Sequence, residues 1–159
     1  GLVTGFISLA ASPMHLIQRE LMAVDQFFYA MSDHQAELER LFLSVGWFSA
    51  RRPERLRLAF KNSPSVFSAW DGTRLVGLVR GLDDGCWQAT VDSLLVDPEY
   101  QGRGIASRLL KLLLDKYRDY LYVDVVPDER RNAEFYLAHG FSVMEEGTAM
   151  QIRGTSWDD

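Results

Sequence analysis

The sequence predicts an α/β layer fold, with a mixed and mostly antiparallel sheet flanked by helices. Runs rich in β-branched and aromatic residues alternate with runs whose apolar residues recur at helical spacing. Three strand-like runs follow one another with only short Asp/Gly turns between them, which marks antiparallel neighbours. The last third then alternates helix and strand, and the full order reads β-α-α-β-β-β-α-β-α-β, the final strand being single or split in two.

Residues 21–30, LMAVDQFFYA, carry the aromatic and β-branched content of a first strand. Ser32 and Gln35 are spaced as a capping box, and Leu38, Leu41, Phe42 and Val45 then share one helical face until Gly46 stops the run. After the linker GWFSARR, Pro53 suits a first helical turn, and Leu56, Ala59 and Phe60 form the stripe of a second helix ending near Asn62. Residues 66–70 and 75–82 read as strands joined by Asp-Gly-Thr, and Asp83, Asp84 and Gly85 turn the chain into a strand over 87–96. Residues 105–118 read as a helix, 120–126 as a strand, 129–139 as a helix closed by Gly140, and 141–153 as the terminal strand or strands. A strand edge around 148–153 would permit a homodimer by strand pairing.

With 159 residues, 47% of them hydrophobic and 25% charged, residues 20–159 are expected to form a single domain with a sizeable core. Residues 1–19 read as a leader or extended start, poorly ordered: the apolar run over 2–17 mimics a signal peptide, but no basic segment precedes it. No run approaches the length of a membrane span, so no membrane partner is expected. A net charge of -5 argues against a nucleic-acid partner and suits a small cationic or neutral one. Cys86 is alone, which excludes an intrachain disulfide and gives no metal-ligand spacing; a reducing, cytoplasmic compartment and no metal are the expectation.

The stretch 94–114, LLVDPEYQGRGIASRLLKLLL, places two glycines and an arginine where a strand hands over to a helix. A helix start presents backbone N–H groups with no intrahelical partner, and the aligned peptide dipoles add partial positive charge. Gly102 and Gly104 lack the Cβ that would hold an anion off the backbone. Amides of Arg103, Gly104, Ile105 and Ala106 would then converge on a pyrophosphate, with the Arg103 or Arg108 side chain adding charge. A P-loop needs Gly-Lys-Ser/Thr, and a dinucleotide fingerprint needs a third glycine where this chain has Ser107; neither fits.

Leu94, Val96, Pro98 and Tyr100, followed by Gln101, Gly104 and Ala106, resemble the signature of the GCN5-related N-acetyltransferases (GNAT family). A second resemblance lies in NAEFYLAHGF, through Asn132, Phe135, Tyr136, Gly140 and Phe141. The family implies a three-layer fold in agreement with the order read above, and acetyl-coenzyme A as cosubstrate. It implies that the cofactor lies along the edge of the strand carrying Leu94 and Val96, which splays from the next strand so that pantetheine pairs with backbone; Gln101 to Ala106 would hold the pyrophosphate. A backbone N–H bonded to the thioester carbonyl would stabilise the tetrahedral oxyanion. Tyr136 matches the tyrosine that protonates the departing thiolate, and Asn132, four residues earlier on the same helix face, matches a cofactor contact; a polar helix start is its other reading.

Asp92 is the candidate general base: by period two it shares a strand face with Leu94 and Val96, where burial would raise its pKa, although a structural hydrogen bond would also explain it. Family acceptor pockets are shaped by the first two helices and their loop, which here offers Trp47 and Phe48 as aromatic walls or as packing residues. The wider pattern over 41–60 and 75–85 is similar to a subgroup that includes plastid and cyanobacterial arylalkylamine acetyltransferases. Asp83 and Asp84 would either attract a cationic amine or simply solvate a turn. The expected function is transfer of acetyl to a primary amine by direct attack in a ternary complex, without a Cys86 intermediate. The rival is a non-catalytic acyl-coenzyme A sensor, which would keep the glycines but have no use for an acid at Tyr136.

Overall fold

A computed structural model of the chain describes residues 5–8, 14–20 and 32–158, with side-chain environments from residue 35 onward. It divides into two units, Gly1–Asp124 and Val125–Asp159. A six-stranded sheet, all in the first unit but for its last residue, has the order β1-β2-β3-β4-β5-β6: β1 Gly5–Ser8, β2 Met14–Glu20, β3 Ser65–Asp71, β4 Arg74–Asp83, β5 Gln88–Val96 and β6 Tyr122–Val125. The pairings from β1 to β5 are antiparallel. β6 starts beside the start of β5, where the Leu121 and Tyr122 N–H groups donate to the Trp87 carbonyl, so these two strands run parallel. The mixed α/β class is therefore observed, with the expected β3-β4-β5 meander. Residues 21–30, expected as the first strand, lie outside the described residues, while β1 and β2 fall in the stretch that read as a leader or extended start.

Two helices, α1 Ser32–Ser44 and α2 Pro53–Lys61, cover one face. α1 presents Leu38, Leu41 and Phe42 to the core and ends where Gly46 takes φ 71°. Pro53 opens α2, whose Leu56 and Phe60 complete a cluster with Val66, Trp70, Leu75, Leu78 and Leu95 of the sheet. Burying each of these large side chains contributes about 1.5–3 kcal/mol. Phe42 sits at the centre, edge-on to Trp47 at 5.4 Å and to Phe60 at 5.6 Å.

The other face carries α3, Ile105–Lys116. Its stripe Ile105, Leu109 and Leu113, continued by Tyr117, is buried throughout at a spacing of four. The stripe lies on a glycine track in β4. A Cβ on Gly77 would stand 2.8 Å from Ile105 Cγ2, and one on Gly81 would stand 2.9 Å from Leu113 Cδ1 and overlap the Tyr117 hydroxyl. The two missing Cβ atoms are thus what lets the helix approach the sheet so closely.

The second unit is short on regular structure. The helix expected over 129–139 is a 3-10 turn, Arg130–Asn132, followed by α4, Ala133–Leu137, and Gly140 at φ 93° ends it as expected. The terminal strands expected over 141–153 are not formed; that stretch is irregular, with Met150 91% and Ile152 98% exposed. Alternation gives a strand its faces but not its ladder, and among the described residues of this unit no strand lies beside it to bond. The strand edge invoked for a homodimer is therefore not present over 148–153.

Candidate active site

The handover from β5 to α3 is built in three steps. Asp97 caps the 3-10 turn Pro98–Tyr100, its Oδ1 accepting from the Glu99 N–H at 3.0 Å. Gln101 folds back so that its Nε2 donates to the Val96 carbonyl at 3.1 Å. Gly102 and Gly104 then both adopt the left-handed region, at φ 77° and 79°, and Gly104 is the N-cap of α3. A Cβ built on either glycine meets nothing within 4 Å, so the backbone borders open space on that side. Behind the turn, Ile105 is 2% exposed and wedged on Gly77, while Ala106 and Arg108 are half-buried. Arg103 is exposed, with its guanidinium 4.8 Å from the Tyr100 ring centroid and Nη2 donating to the Glu99 carbonyl at 3.3 Å.

Leu94 and Val96 pair with Val79 and Gly77 on the α3 face, Leu94 half-buried and Val96 buried. Asp92 does not share that face. The register passes from Arg80↔Ser93 to Gly81↔Val91, so Asp92 is the extra residue of a β-bulge and period two fails at that point. Its exposed carboxylate points to the α1/α2 face, where Arg80 Nε donates to it at 2.9 Å, Arg80 Nη2 also bonds to it, and the Ser93 hydroxyl donates at 2.9 Å. The burial among Thr90 and Leu94 that the base reading required is absent.

Asn132 and Tyr136 belong to the second unit. Tyr136 is half-buried, packed edge-on against Phe135 at 5.2 Å and Phe141 at 5.5 Å. Burial pushes its hydroxyl pKa up, with a smaller push from the Asp128 charge. Asn132 is exposed at the start of α4 and makes no side-chain cap bond. Of the two aromatics between α1 and α2, Trp47 packs against the core while Phe48, 38% exposed, carries the Arg51 guanidinium at 4.9 Å. Only Phe48 therefore presents a ring outward. The two turn aspartates are structural: Asp83 accepts from the Tyr117, Tyr120 and Ser65 hydroxyls, and Asp84 from the N–H groups of Cys86, Trp87 and Gln88.

Residues outside the motifs also reach the turn. Asp97 Oδ2 accepts from Arg40 Nη1 and Arg74 Nη2, both at 2.9 Å. An aspartate directly before a proline at a turn start is an N-cap signal, and by that rule Asp97 was findable; Arg40 and Arg74, 57 and 23 positions away, were not.

The sequence profile of the acetyltransferase (GNAT) family matches residues 28–141. The chain belongs to that family. Across 135 residues it is 33% identical to histone acetyltransferase TAP1 of Glycine max, covering 76% of this chain and 55% of that one. It is 34% identical over 104 residues to an N-acetyltransferase ycf52-like protein of Prochlorococcus marinus, covering 60% and 57%. Among solved structures, a GNAT-family acetyltransferase of Streptococcus pneumoniae superposes with a TM-score of 0.65 at 30% identity, covering 76% of this chain and 90% of that one. The chain spans little more than half the length of the curated relatives it matches. Among the described residues of this GNAT chain, no helix is long and apolar enough to cross a membrane.

Proposed function

We propose that the chain is an acetyltransferase that moves acetyl from acetyl-coenzyme A to a primary amine by direct attack in a ternary complex. The observation that carries this is the pair of left-handed glycines opening α3 onto free space, in a chain of the GNAT family. Acetyl-coenzyme A, when bound, supplies the activated thioester. The turn amides from Arg103 to Ala106 suit its pyrophosphate because helix N–H donors and the helix dipole both favour an anion, and no Cβ on Gly102 or Gly104 stands in the way. The β5 backbone around Leu94 and Val96 would donate to the thioester carbonyl, and the same donor would stabilise the oxyanion. Tyr136, held in its protonated form by burial, suits donation to the departing thiolate. Asn132, in the 3-10 turn directly before α4, is proposed as a cofactor contact.

With Asp92 engaged by Arg80, the amine would lose its proton to solvent-connected groups, or enter neutral. That same ion pair is what favours the rival reading, an acyl-coenzyme A sensor with no chemistry. Calorimetric titration with acetyl-coenzyme A, followed by thiol release against an amine panel, separates them. The panel spans arylalkylamines, polyamines, amino sugars and a lysine peptide, the last because one relative's name specifies histone. Binding with amine-dependent thiol release is expected; binding alone would leave the sensor. Gly104→Glu should abolish binding under either reading, since it places a bulky anion at a left-handed position facing the pyrophosphate.

A further inference from the structure

Gly102 and Gly104 bring no side chain to fix the turn, so its geometry leans on its flanks. On the N-terminal flank the chain buries a carboxylate. Asp97 is 2% exposed and bridges two guanidiniums that would otherwise repel each other, Arg40 from α1 and Arg74 from the start of β4. Its own N–H donates to the Val76 carbonyl at 2.8 Å, and its carbonyl accepts from the Tyr100 N–H at 2.8 Å. Arg40 is itself locked, with Nη2 donating to the Leu75 carbonyl at 2.6 Å and its guanidinium bonded to Glu37, whose Oε2 accepts from the Leu75 N–H at 2.8 Å. Arg74 continues outward: Nη2 donates to Glu99 at 2.7 Å, and its guanidinium lies 5.3 Å from the Tyr100 ring. The Tyr100 hydroxyl donates to Asp71 at 2.6 Å, which ties the turn to the end of β3. Asp97, Glu99 and Tyr100 are thus each held by α1, β3 or β4.

We infer that Asp97 is a positioning residue: through Arg40 and Arg74 it fixes the turn before Gly102 so that the amides opening α3 converge on an anion. This rests on the function proposed above. Asp97→Asn keeps an acceptor for the Glu99 N–H but removes the charge that both guanidiniums share.

The test uses the full chain and reads coenzyme A affinity by calorimetry together with steady-state kinetics. Asp97→Asn is expected to raise the Kd for coenzyme A and the KM for acetyl-coenzyme A about tenfold or more, with kcat within about twofold, because misplacing a binding group weakens binding without altering the reacting atoms. Val66→Ala, a core truncation far from the turn, is the control for lost stability and should leave both constants unchanged. Arg74→Met removes the 40% exposed arm and makes smaller demands on folding; it should raise KM about threefold, and its effect should vanish in an Asp97→Asn background because the two act as one unit. Coenzyme A affinity unchanged in both Asp97→Asn and Arg74→Met would overturn the inference while leaving the function standing. So would an equal loss in Val66→Ala. If Asp97→Asn does not fold, Arg74→Met decides alone, and an unchanged KM overturns it. Failure of the wild-type chain to bind coenzyme A would instead refute the site itself.

Discussion

Tyr136 and Asp92 show how one side chain's surroundings set what it can do. Burial holds the Tyr136 hydroxyl above its usual pKa of 10.0, with Asp128 adding to the shift. A general acid works only while it carries its proton, so a raised pKa extends the working form to higher pH. Turnover limited by this step should hold up to pH 10 and fall only above it; a descending limb centred well below pH 10 would reject Tyr136 as its source. Under the proposed acid role, Tyr136→Phe should lower kcat about 100-fold and leave the acetyl-coenzyme A KM within about twofold, since the hydroxyl would act on the leaving group rather than on binding. Asp92 is the contrary case. With Arg80 and Ser93 already on its carboxylate, Asp92→Asn should leave kcat within about threefold, whereas loss of a true general base costs about 100-fold or more. Paired measurements of kcat in the two variants decide both points.

The element that matters most for the site is α3, because the same helix presents the turn amides and packs on β4. Its position is fixed by the Gly77 and Gly81 track, and the two glycines differ in what they support. Gly81 lies under Leu113 and Tyr117, toward the far end of α3 from the glycine turn, so Gly81→Ala should lose about 1–3 kcal/mol of stability by overpacking, read from urea unfolding, without moving the coenzyme A Kd. Gly77 lies under Ile105, the first residue of the helix, and Gly77→Ala should weaken coenzyme A binding as well as stability. An equal effect of both on binding would mean the helix shifts as a rigid rod. The β-bulge at Asp92 acts at the same scale: one extra residue in β5 sends Asp92 and Ser93 to one face and keeps Val91 and Leu94 on the other.

At the scale of the molecule, buried and capping carboxylates tie folding to pH. Burial alone would raise the Asp97 pKa, but the Glu99 N–H and the Arg40 and Arg74 guanidiniums outweigh it and hold it below 3.8; the turn amides do the same for Asp84. A folded-state pKa below the unfolded one contributes stability that is present above the unfolded value and lost as pH falls through the folded one. Melting temperature should therefore stay level from neutrality to about pH 4 and drop below it, and the drop should be shallower in Asp97→Asn. An unchanged acid limb in that variant would show that Asp97 contributes little to it. The family, the meander, the three longer helices and the glycine turn are all set by local chemistry: apolar period, Pro53, Asp-Gly turns, and two glycines before a leucine stripe. These are written within a few residues of where they act, so the sequence by itself determined them. Only the tertiary structure decided the face of Asp92, which depends on a register shift against β4, and the partners of Asp97, which depend on α1 and β4 folding against the same turn. It also decided the stretch 141–153, where the terminal strand or strands expected from the sequence are not formed. Periodicity reports what a segment can bury or pair; whether a neighbour stands there to receive it is a property of the assembled fold.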